Sequence, residues 1–118
     1  MFRTKLEEAA RRLPTCEAAA LVGRDGMVVE HWSSGRAPSP EVIAAELTPV
    51  IRSVEALSRN AGGGSVRELL VRLSSWTVLV QPINEEIFLV LVARQDAIPG
   101  RVRFEAARAA ARIESELR

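Results

Sequence analysis

The chain has a single cysteine, Cys16, and a single histidine, His31, among its 118 residues. One cysteine excludes an intrachain disulfide. The pair also falls short of the three or four ligands a zinc site normally takes. A Cys–His dyad would need the two brought together by the fold, and it lacks an evident third group to orient it. Excess charge is equally scarce: 16 Lys and Arg against 15 Asp and Glu leave a net charge of +1. Non-specific phosphate binding needs clustered positive charge. The most basic stretch, the C-terminal tail, is interrupted by Glu105, Glu114 and Glu116 and reads as a solvated helix face. Trp32 and Trp76 lie far apart, without interleaved basic residues, so no base-stacking platform is indicated. No nucleic-acid partner is expected.

Long apolar runs are missing too. The longest, Ile87 to Ala93, has the length of a strand, whereas a bilayer span needs roughly 18–20 apolar residues. The chain opens Met-Phe-Arg-Thr-Lys and passes directly into charged helix, with no secretory apolar core. The expectation is a cytoplasmic protein without membrane insertion. With 47% apolar residues, there is material for one hydrophobic core, and residues 1–118 are expected to form a single domain.

Phe2, Leu6, Ala9, Ala10 and Leu13 recur at helical spacing, and Pro14 ends that helix. Cys16 to Val22 reads as a strand of small side chains. Gly23-Arg24-Asp25-Gly26 is a hairpin turn, its Asp-Gly step supplying positive φ, and Met27 to Trp32 is the return strand. Arg24 at the tip reads as an exposed turn arginine. Ser39 can cap a second helix, with Pro40 at its first position and Glu41 near its positive end. That helix runs to about Asn60 and stops at Gly62-Gly63-Gly64.

At about 100° per residue, Ile43, Leu47, Val50, Ile51, Val54 and Leu57 gather on one face of the second helix. Glu41, Thr48, Arg52, Glu55 and Arg59 lie nearly opposite. Between them runs a stripe of Val42, Ala45, Pro49, Ser53 and Ala56, small enough either to admit another helix closely or simply to flank a core. Pro49 removes one backbone donor and bends the helix locally.

Three strands follow: Val66 to Leu73 with three charged residues, Trp76 to Ile83, and Ile87 to Ala93. The last is apolar on both faces, which places it centrally with helices on both sides. Short hairpin connections make the sheet largely antiparallel. A final helix buries Val102, Ala106, Ala109, Ala110, Ile113 and Leu117, and Phe104 falls off that stripe towards the first helix. The Gly62-Gly63-Gly64-Ser65 run follows a helix and enters a strand. A phosphate loop has the reverse polarity, running from a strand into a helix N-terminus. No catalytic, cofactor-binding or metal-binding residue is indicated, and the chain reads as no enzyme.

The hairpin Leu21-Val22-Gly23-Arg24-Asp25-Gly26-Met27-Val28-Val29 resembles the opening of a Roadblock/dynein light-chain (Roadblock/LC7-type) domain, with Gly23, Asp25 and Gly26 as its structural turn. The long second helix, the three closing strands and the terminal helix resemble the same family. The resemblance implies an α/β (α+β) fold of profilin-like topology: a five-stranded antiparallel sheet in the order 2-1-5-4-3, with one long helix on one face and the terminal helices on the other. It further implies a homodimer in which the third strands pair edge to edge and the second helices pack together. On this chain those positions are Val42, Ala45, Pro49, Ser53 and Ala56 of the helix stripe, with Val66, Arg67, Leu69, Val71 and Leu73 of the strand. Prokaryotic members resemble partners of small Ras-like GTPases, some of them stimulating hydrolysis by reorganising the switch regions without donating a catalytic side chain. Arg52, Glu55 and Arg59 are the candidate contacts for such a partner, or else a solvated helix face. The other readings are a structural dimerisation module in a larger complex and a small-molecule sensor.

Overall fold

The computed structural model describes residues 2–118. In chain order the elements are α1 (Phe2–Arg12), β1 (Cys16–Gly23), β2 (Val28–Ser33), α2 (Pro40–Ala61), β3 (Leu69–Arg72), β4 (Trp76–Pro82), β5 (Ile87–Arg94) and α3 (Pro99–Leu117). The strands form one sheet in the order β2-β1-β5-β4-β3, every neighbouring pair antiparallel. The implied topology is the one found.

Strand β5 sits in the middle because both of its faces are apolar. Leu89, Leu91 and Ala93 point to the α1/α3 side with Ala19, Leu21 and Leu79. Phe88, Val90 and Val92 point to the α2 side with Ala18, Ala20, Val22, Val78 and Val80. The alternation follows from the period of two along a strand. Small residues at Ala18, Ala19 and Ala20 keep β1 thin, and all three are buried between the layers.

The two helical layers differ in extent. Helices α1 and α3 lie side by side across one face and touch each other. On the other face, α2 is alone and packs over β1 and β2. The far end of that face, Leu69 and Val71 of β3 and Trp76 of β4, is only partly buried.

Local chemistry explains the ends of α2. Ser39 has extended backbone, and its Oγ accepts a hydrogen bond from the Val42 N–H at 3.3 Å. Gly62 takes the left-handed conformation (φ 67°) that closes a helix, and its N–H donates to the Ser58 carbonyl.

Several expectations are corrected. The third strand is four residues long, so Val66 and Arg67 precede it and Leu73 follows it. Helix α2 is rotated from the phase that hydropathy suggests: Thr48 is buried, while Val50 and Leu57 face solvent. The hydroxyl of Thr48 donates to the Ala44 carbonyl at 2.7 Å, which removes the cost of burying it. Only Gly26 in the first turn has positive φ, 89°, so the connection is a three-residue loop of the kind that ends in one left-handed residue. Leu117 lies at the exposed end of α3, and Phe104 points outward from it, 64% exposed.

Candidate interaction surfaces

The outward face of α2 is apolar and small. Val42 is 56% exposed, Ala45, Pro49 and Ser53 are exposed, and Ala56 is half-buried. Val50 and Leu57 border this stripe. The five stripe residues therefore share one accessible surface rather than flanking the core, with Ala56 at its margin. Beside the half-covered end of the sheet lies the second component, the free edge of β3. This strand pairs only with β4, from Leu69↔Val80 to Arg72↔Thr77, which leaves its other row of backbone groups open. Leu69 and Val71 belong to the α2 side of that strand. Val66 is half-buried and Arg67 exposed ahead of it, and Leu73 is exposed beyond it.

The three charged candidates on α2 behave differently from one another. Arg59 is exposed and lines an open groove of about 750 Å³ between the end of α2, the glycine loop and the β4–β5 turn. Arg52 reaches sideways, its Nη2 donating to the Arg24 carbonyl at 3.4 Å. Glu55 is half-buried, and its Oε2 is ion-paired with Nη1 of Arg24. Glu55 is therefore not a freely offered side chain, and Arg24 is not a free turn arginine: it folds back from the hairpin tip onto α2.

That tip is held at a second point. A Cβ on Gly26 would stand 3.2 Å from Thr48 Oγ1, so glycine is required both by its φ and by the approach of α2. Asp25 Oδ1 accepts from the Met27 N–H at 3.0 Å, and the Gly23 N–H donates to the Met27 carbonyl at 2.8 Å. Gly23, Asp25 and Gly26 thus form the structural turn that the hairpin motif implies.

A cluster that sequence reading missed lies at the start of β1. Glu17 is 2% exposed. It occupies a bulge, since the register with β5 shifts between Cys16 and Ala18. Its carboxylate accepts a bidentate pair from Arg36, at 2.9 and 3.1 Å, and lies 3.5 Å from Arg94 Nη1. The hydrogen bonds from Arg36 hold the Glu17 carboxyl below the usual range against the opposing effect of burial, with Ser34 and Arg94 assisting. The same contacts raise the Arg36 guanidinium. The one available signal was a glutamate inside an otherwise apolar strand, and its partners stand 19 and 77 positions away.

Cys16 is buried, and desolvation pushes its thiol up to about 12, so it stays protonated. Its Sγ lies with the α1/α3 layer. His31 stands opposite Ala20, a residue of the α2 side. The two do not form a dyad. Among the described residues, no group of three or more His, Cys, Asp or Glu could hold a metal ion. No helix among them is long and apolar enough to cross a membrane.

The profile of the Roadblock/LC7 domain matches residues 4–93. The chain belongs to the Roadblock/LC7 family. No curated protein matches it in sequence. Among solved structures, the Roadblock/LC7 chain is similar to MglB in a tetrameric arrangement, with 27% identity and a TM-score of 0.85 over 98% of this chain and 88% of that one. It is similar to the gliding protein MglB of Thermus thermophilus, with 26% identity and a TM-score of 0.84 over 98% and 89%. Profilin II of Acanthamoeba castellanii shares the fold at 20% identity, with a TM-score of 0.65 over 98% of both chains. This likeness extends the Roadblock/LC7 assignment to the profilin-like topology.

Proposed function

We propose that this Roadblock/LC7 domain is a homodimeric, non-catalytic regulator or scaffold that binds a small Ras-like GTPase in the cytoplasm. The observation that carries the reading is the pairing of an accessible apolar stripe on α2 with an open β3 edge beside a half-covered sheet face. A second copy would add backbone partners along β3 and bring its own α2 over Leu69, Val71 and Trp76. Val42, Ala45, Pro49, Ser53 and Ala56, with Leu69 and Val71, are the proposed contacts. Val66, Arg67 and Leu73 would contribute from the chain on either side of the strand. The similarity to MglB, solved in a tetrameric arrangement, supports self-assembly.

Membership of the Roadblock/LC7 family supports a small Ras-like GTPase as the partner. Arg52 and Arg59 are the exposed charges offered to it. Glu55 acts indirectly, by holding Arg24. Domain and partner would form one regulatory unit in which hydrolysis uses the GTPase's own residues. A sensor would have no pocket between α2 and the sheet, where the void lined by Ala18, Ala20, Ile43 and Val90 among others is about 10 Å³, barely enough for one water.

Light scattering tests the dimer. The wild-type protein is expected at twice the monomer mass, and Ala45→Arg is expected to shift it towards monomer; an unchanged mass would refute the placement of the stripe. Where a small Ras-like GTPase is encoded beside this protein, mixing the two with the GTPase loaded with GTP or GDP tests the partner. Binding that prefers one nucleotide state supports regulation. Faster hydrolysis makes the protein an activator, and binding without it leaves a scaffold. Failure to bind either form would leave only a structural dimerisation module.

A further inference from the structure

We propose that the outer face of α3, together with the end of α1, is a docking surface for an acidic amphipathic helix of a partner protein. This face lies across the sheet from α2 and, among the described residues, adjoins the β3 edge only at the Arg103–Glu68 ion pair.

Three features converge there. The first is charge. From Pro99 to Ile113, α3 carries Arg101, Arg103, Arg108 and Arg112 against the single acid Glu105, and Glu105 is buried with its carboxylate 3.3 Å from Arg12 Nε. Glu8 sits between Arg108 and Arg112, and Glu68 takes Arg103. Arg11 and Arg101 have no carboxylate within ion-pair distance among the described residues and are exposed. On a chain of net charge +1, this face thus sets six arginines, Arg11, Arg12, Arg101, Arg103, Arg108 and Arg112, against the three carboxylates Glu8, Glu68 and Glu105.

The second feature is apolar. Phe104 is 64% exposed and Ile98 61%. Phe104 borders a cleft of about 270 Å³ shared with Arg12, Gly100 and Arg101, roomy enough to seat a side chain from a partner. Phe104 beside Arg12 and Arg101 pairs an exposed aromatic with arginine, residue types enriched at interfaces. The third is shape. Ala107 and Ala111 are exposed one turn apart beyond Phe104, so a second helix can approach the α3 backbone closely along this line. Arginines on either side would then meet carboxylates flanking the partner's apolar stripe, the arrangement that sets register between helices.

A membrane fits these observations less well. Interfacial helices insert a continuous band of large apolar side chains, whereas here alanines follow Phe104.

The test uses the full chain and a fluorescent synthetic helix of roughly 18 residues with leucines on one face and glutamates elsewhere. A counterpart has lysine in place of glutamate. Vesicles of phosphatidylserine in phosphatidylcholine form the third arm. The glutamate helix is expected to bind, the lysine helix not. Phe104→Ala and Arg101→Glu are each expected to weaken binding roughly tenfold, and raising salt from about 50 to about 300 mM is expected to weaken it further. Both positions are exposed, so circular dichroism and the oligomeric mass should match wild type. Absence of binding by the glutamate helix, equal binding of the two helices, or indifference to both substitutions would overturn the proposal. Vesicle binding without helix binding would overturn it in favour of a lipid surface.

Discussion

The two faces of the sheet are built from similar residues but finished differently. On one, α1 and α3 together cover the central strands, and Leu21, Leu79, Leu89 and Leu91 are shut away completely. On the other, a single helix covers β1 and β2, and the β3–β4 end keeps Leu69, Val71 and Trp76 half in solvent. The first face is a finished core. The second has the composition of a core without the cover, and α2 itself repeats the pattern by turning Val42, Val50 and Leu57 outward. Apolar surface left open on both a helix and the sheet beside it is the surface that the proposed second copy would bury.

Substitutions can break this contrast. Leu91→Ala, at the centre of the closed face, is expected to cost about 2–5 kcal/mol in urea unfolding, independent of protein concentration. Leu69→Ala, on the half-open face, is expected to cost less in dilute protein. Its cost should grow with concentration if a second copy covers it, and a concentration-independent loss as large as that of Leu91→Ala would erase the distinction. Gly26→Ala strains the positive φ and crowds Thr48, and about 1–3 kcal/mol is expected from the same measurement.

Acid sharpens the comparison along a different axis. Glu17 has its folded pKa lowered, so its contribution is present above the unfolded carboxyl range and is lost as pH falls through the folded value. Wild-type stability should therefore decline as pH drops below about 4, and Glu17→Gln should show a shallower decline; identical pH slopes would show that the Arg36 and Arg94 contacts contribute nothing. The smallest effect is expected at Leu57→Glu, within about 0.5 kcal/mol for the monomer, because this leucine is already 64% exposed.

Much of this architecture was legible in the chain. An apolar run on both faces placed β5 centrally, Ser39 and Gly62 bounded α2, and the Gly-x-Asp-Gly turn joined β1 to β2. What escaped was set by contacts distant in sequence. The phase of α2 depends on Thr48 meeting Gly26 and bonding its own helix, so a polar residue went inward and Leu57 outward, against hydropathy. Glu17 looked like an interruption in a strand, because its arginines arrive from the loop before α2 and from the end of β5. Strand β3 is shorter than its pattern because Val66, Arg67 and Glu68 have no ladder partner on β4. The surface stripe could be read from spacing alone. Which way it faced could not, since that depends on how α2 is seated.

The seating of α2 reaches further than stability. Thr48 touches the hairpin tip, Arg24 spans to Glu55, and Arg52 holds the Arg24 carbonyl. These three links stitch the β1–β2 turn to the middle of a helix whose other side faces outward. A molecule that pressed on, tilted or straightened α2 would carry the turn with it.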